Sequence, residues 1–150
     1  MLKDLLDKLA GNTETTEAPE DNNRSQVAFT ALLVEAARAD EDYTDAEKAL
    51  INKLVQRQFD VDEATALSLR EQAEAEQAEA HDMYRFSSQV KSALSHEEKI
   101  ELIEAMWEVV LTDEKRDPYE DMVIRRLSGL IYVEDTEAQA ARRRVEERLA

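Results

Sequence analysis

LIEAMWEVVLTDEKRDPYEDMVIRRLSGL, residues 102–130, is the stretch that decides the fold. It reads as a long apolar helix ending at Asp113, a short polar turn, and a second amphipathic helix opened by Asp117-Pro118. Proline suits a first helical position because the amide it lacks would have no partner there. Shifted back by 73 positions, the run meets a relative of itself, VEAARADEDYTDAEKALINKL at 34–54. Asp113 falls on Asp40, Asp117 on Thr44, Glu120 on Glu47, Val123 on Leu50, Ile124 on Ile51 and Leu127 on Leu54. The pattern predicts two copies of one helix–turn–helix unit.

Outward from these units the chain continues to read as helix. Gly 2, Pro 2 and an Ala/Glu/Leu/Arg-rich composition predict an all-α, compact multi-helix domain over 24–150. Phe29, Leu32, Leu33, Ala36 and Ala37 give the helix of about Ser25 to Ala39 a broad apolar face. Thr44 with Glu47 and Ser95 with Glu98 have capping-box spacing, in which each side chain satisfies the other's backbone amide. Asp62 opens a helix of about Glu63 to Ala80 whose EQAEAEQAEA run favours helix but offers little bulk, predicting a peripheral position. Asp82 is placed to cap a helix through Met83, Tyr84, Phe86, Val90 and Leu94, and the last helix starts at about Asp135. Met106, Trp107 and Tyr84 are expected in the core. Before the domain, Leu2, Leu5, Leu6 and Leu9 form the stripe of a short amphipathic helix over 1–11. That helix could contact a partner or a membrane surface; alternatively it docks on its own domain or frays. Residues 12–23, polar and containing Pro19, read as a flexible linker.

Lys+Arg 19 against Asp+Glu 35 gives a net charge of −16, which repels nucleic acid and anionic lipid and favours cations or basic partners. Cys 0 excludes disulfides, thiolate metal sites and a cysteine nucleophile. No apolar run reaches the ~20 residues of a membrane span. The charged first ten residues do not form a signal peptide, so the expected location is cytoplasmic. Two glycines cannot build a phosphate-cradling loop.

The chemistry on offer is carboxylate. Asp40-Glu41-Asp42 with Glu47, and Asp113-Glu114 with Asp117 and Glu120, gather hard oxygen donors suited to Ca2+, Mg2+ or Mn2+. Neither copy is an EF-hand loop: the sixth place holds Asp45 or Pro118 instead of Gly, and the twelfth holds Ile51 or Ile124 instead of Glu. The plainer alternative is that Glu47 and Glu120 complete caps while Asp40 and Asp113 end their helices. His81 and His96 have no metal-ligand spacing and read as surface residues. Glu35 and Glu108, also equivalent by the 73-residue shift, read as a solvated stripe, with Arg38 in reach of Glu35. Arg142, Arg143 and Arg144 form a basic helix face, with docking of an acidic partner as the functional alternative. No catalytic constellation is present, so an enzyme is not expected.

The two turns, LLVEAARADEDYTDAEKALI, the YRF at Tyr84 and the run from Leu102 to Leu127 resemble the tellurite-resistance TerB-like family, over about Gln26 to Arg148. The resemblance implies stand-alone bacterial members of this length and a compact all-α fold with a duplicated core. It further implies an acidic surface that binds divalent metal, a stress-response context, and a link to a co-chaperone's N-terminal domain. Carried over by position, the family's paired acids are Asp40 with Glu47 and Asp113 with Glu120; Glu41, Asp42, Glu114 and Asp117 add oxygens in the same turns. Where the family has Asp-Gly, this chain has Asp40-Glu41 and Asp113-Glu114. The expectation is a non-enzymatic domain that binds divalent cation weakly and docks a protein partner. The alternative is a purely structural adaptor without metal.

Overall fold

The computed structural model describes residues 19–40, 42–112 and 118–150, without the side chains of 19–21 and 40. The expected N-terminal helix, residues 12–18 of the expected linker, Glu41, Asp113, Glu114 and Asp117 lie outside the described residues, as does the Asp40 side chain. The described chain is all-α: α1 Pro19–Ala37, a single 3-10 turn Arg38–Asp40, α2 Asp45–Phe59, α3 Glu63–Glu79, α4 Tyr84–Ala93, α5 His96–Thr112, α6 Pro118–Leu130 and α7 Asp135–Leu149. Among these helices none is long and apolar enough to cross a membrane.

α1 starts at Pro19, inside the stretch expected as a linker. Proline suits the first helical position, where the amide it lacks would have no partner. From Val27 to Ala37 every side chain except Glu35 is buried. A helix apolar all round belongs inside the molecule, and α1 packs against α2, α3, α4, α5 and α6. α7 closes the far side by packing along α5, where Trp107 donates its indole N–H to the Ala138 carbonyl at 3.2 Å.

The caps expected at Thr44 and Ser95 both form. Glu47 N donates to Thr44 Oγ1 at 3.1 Å while Thr44 N donates to Glu47 Oε1 at 2.9 Å. The Ser95–Glu98 pair does the same at 3.1 and 2.9 Å. Asp62 caps α3 by accepting from Thr65 N at 2.8 Å. Asp82 accepts from Tyr84 N at 2.9 Å, although the cap position itself is Met83.

α3 lies at the periphery as expected, with only Ala66, Leu69 and Ala73 of its side chains buried, yet it makes the most extensive helix contact of the described chain, across α1. Ala66 and Ala73 are fully buried on this helix, and side chains so small let a neighbouring backbone approach closely. Tyr84 is 67% exposed rather than in the core. Met83 and Phe86 take the inward positions at the start of α4.

Candidate functional site

Glu47 and Glu120 each stand at the third residue of their helix, α2 and α6, and both are buried, at 5% and 0% exposure. A carboxylate removed from water loses solvation worth far more than one ordinary hydrogen bond returns, so burial at two such positions demands compensating donors or cations. For Glu47 part of that compensation is local: Oε1 accepts from both the amide and the hydroxyl of Thr44, the latter at 3.1 Å, and the helix N-terminus adds its own partial positive charge. The 3-10 turn that ends in Asp40 packs against α6, the helix that carries Glu120. The backbone at Asp40 thus lies on the turn that meets the helix carrying Glu120.

The loop after Asp40 is secured by polar contacts from α3. Tyr43 Oη donates to Glu74 Oε2 at 2.5 Å, Arg70 donates to the same oxygen at 2.8 Å, and Arg70 Nε reaches Asn52 Oδ1 of α2 at 2.8 Å. The Tyr43 ring lies 5.0 Å from the Arg38 guanidinium and 5.1 Å from the Lys48 ammonium. Burial first, and then the Glu74 carboxylate, push the Tyr43 phenol well above its ordinary range, so it stays a proton donor. Arg38 also donates to Gln77 Oε1, and Gln77 Nε2 donates to Glu35 at 2.8 Å. Sequence inspection did not find this chain of contacts. Its signal was a tyrosine inside an acidic turn and an Arg70/Glu74 pair four apart on a helix.

Glu35 does not pair with Arg38 as expected. Arg38 is drawn to Tyr43 and Gln77, and Glu35 meets Gln77 and, at 3.6 Å, Arg126 of α6. Glu108 faces Arg57 at 3.3 Å, so the two acids have separate partners. His81 is exposed; His96 is 2.6 Å from Glu137 at the start of α7. The basic face of α7 is largely engaged within the molecule. Arg142 lies over the Trp107 ring at 4.8 Å and pairs with Asp121 at 3.2 Å, while Arg144 and Arg148 share Glu104 at 3.2 and 2.8 Å. Among the described residues no group of three or more His, Asp or Glu side chains is assembled as a cation cage. Glu47 and Glu120 fit a hard divalent cation by donor chemistry.

The family model described as tellurite resistance protein TerB matches residues 26–143. The chain belongs to the TerB family. Both acidic turns, α1 from Gln26 onward and most of α7 fall within the TerB match. Comparisons with curated proteins and with solved structures yield no match.

Proposed function

We propose that this TerB-family chain is a non-enzymatic, cytoplasmic helical domain that binds a divalent cation at its acidic turns and docks a protein partner in a stress response. The observation that carries the reading is the burial of Glu47 and Glu120 at matching places on α2 and α6. Asp40, Glu47, Asp113 and Glu120 would hold the ion, with Glu41, Asp42, Glu114 and Asp117 as further oxygens. Ca2+, Mg2+ or Mn2+ would supply positive charge against carboxylate repulsion. Tyr119 and Met122, 47% and 59% exposed at the start of α6, offer a partner an apolar foothold beside the second turn.

A second reading, a structural adaptor without metal, has its own support in the capping box, since Oε1 of Glu47 already accepts two hydrogen bonds from Thr44. Thermal unfolding of chelator-stripped protein separates the two. An ion that binds only the folded state adds about 2.7 kcal/mol at a hundredfold excess over its dissociation constant. The expected outcome is a higher midpoint with one cation, abolished by Asp40→Asn with Asp113→Asn. An unchanged midpoint at millimolar cation selects the adaptor.

A further inference from the structure

We infer that the groove where α1, α3 and α4 meet is a docking site for an extended peptide segment carrying carboxylates, gripped by Arg24 and Arg85. The inference shares with the proposed function only that a protein partner docks. None of the described lining residues belongs to the acidic turns, so the site stands with or without a cation. α1 packs against both α3 and α4, and a groove of about 770 Å3 opens between them, a size in the range of sites that take a ligand. Each helix turns one face to it. Gln72 and Glu76 of α3 stand four apart, as do Arg85 and Gln89 of α4, while Arg24 and Val27 of α1 stand three apart. Val27, 3% exposed, forms an apolar floor, and Arg24, Gln72 and Arg85 are exposed along the walls.

Charge selects the occupant. The whole chain carries Lys+Arg 19 against Asp+Glu 35, but among the described residues lining the groove are two arginines and one glutamate. That glutamate is already engaged: Glu76 Oε1 accepts from Arg85 at 3.2 Å and Oε2 from Gln72 at 3.0 Å. Arg85 is held both by this pair and by the Phe86 ring, whose centroid lies 4.7 Å from the guanidinium carbon. A guanidinium has five N–H donors in a planar fork, so one bond to Glu76 leaves donors for a second carboxylate. Fixing it beforehand reduces the freedom lost on binding. Side-chain amides suit the rest of a peptide, because each both donates and accepts, as a backbone does. Gln72 uses an N–H on Glu76 and keeps its carbonyl oxygen for a peptide N–H, and Gln89 brings a further amide from the α4 wall. The overall charge of −16 opposes an acidic partner at long range, but at physiological salt exposed charges more than about 8 Å apart are largely screened.

The probe is the capped pentapeptide Ser-Glu-Ser-Glu-Ser, titrated to millimolar concentration into the full chain while backbone amide shifts are followed by NMR. The buffer contains chelator, so the result is independent of whether the acidic turns hold an ion. The peptide Ser-Gln-Ser-Gln-Ser removes the charge, and glutarate offers two carboxylates without a peptide backbone. The expected result is a saturable shift at the amides of Gln72, Arg85 and Gln89, with α7 unmoved. Affinity is expected to be about tenfold weaker for the glutamine peptide and for glutarate. Arg85→Gln and Arg24→Gln are each expected to weaken the glutamate peptide about tenfold at an unchanged thermal midpoint. Arg143→Gln, at an exposed position on α7, is expected to leave it unchanged. The two groove arginines lie on different helices, so if one variant melts early the other decides. No saturable shift overturns the site, and so does an equal loss in Arg143→Gln, which reports only diffuse charge. Equal binding of the glutamine peptide overturns carboxylate recognition. Equal binding of glutarate reduces the groove to an anion seat and overturns the peptide.

Discussion

Tyr132 holds φ at 63°, in the left-handed region, two residues past the end of α6. Its amide donates to Gly129 O at 3.2 Å and that of Val133 to Ser128 O at 2.9 Å, a helix ending whose left-handed position usually belongs to glycine. A side chain there costs about 1–2 kcal/mol. The ring gains the Lys91 ammonium, 4.3 Å from its centroid, a contact worth about 0.5–1 kcal/mol at an exposed site. The strain is the larger, so Tyr132→Gly is expected to raise stability by about 0.5 kcal/mol, read as a higher urea midpoint at unchanged slope. A lower midpoint would show that the aromatic contact wins. Meanwhile the glycine of this segment sits in the helix itself, where a Cβ would touch nothing within 4 Å. Gly129→Ala is expected to stabilise by about 0.5–1 kcal/mol in the same assay. Caps were the most legible feature at this scale. Thr44–Glu47 and Ser95–Glu98 each lie within four residues and depend on little beyond them. The left-handed tyrosine was not legible, because no glycine marks it.

At the scale of elements, α3 shows what composition leaves open. Its alanines signal helix propensity and little bulk, and Ala73 is fully buried on this helix, which has the most extensive contact with α1. Ala73→Leu is therefore expected to cost about 1–3 kcal/mol by overpacking, in spite of adding apolar surface. A neutral outcome in urea unfolding would show that the crossing has slack. α7 makes the complementary case. Arg142 covers Trp107 and pairs with Asp121, whereas Arg143 is exposed. Arg142→Ala is expected to lose about 1–2 kcal/mol, part packing and part charge, and Arg143→Ala less than about 0.5 kcal/mol. Equal effects in paired melts would refute the distinction. The run RRR looks uniform in sequence; only the rotation of α7 against α5 separates its members.

For the whole molecule, a net charge of −16 makes the disposition of its acids decisive. Three carboxyls, those of exposed Asp62 and Asp135 and of half-buried Glu137, lie below their ordinary range: Asp62 through hydrogen bonding with Thr65, Asp135 through Arg125, and Glu137 through His96. Each favours the folded state above the unfolded carboxylate range, and that contribution is lost as pH falls through the lowered folded value. Glu137→Gln is accordingly expected to melt below wild type at neutral pH, with the gap closing in acid. A gap that stays constant with pH, followed by circular dichroism, would remove ionisation of Glu137 as its cause.

The sequence by itself determined the all-α class, the starts of α2, α3, α5 and α7 to within a residue, and the residues that carry the TerB resemblance. All of these are written in periodicities and caps a few positions long. The tertiary structure decided that α1 is the hub, that Glu47 and Glu120 are buried, that Glu35 turns to Gln77 and Arg126, and that Tyr43 grips Glu74. Burial and partnership join residues that are distant in the chain, 31 apart for Tyr43 and Glu74. They come into being only when helices cross, and no local pattern encodes the crossing.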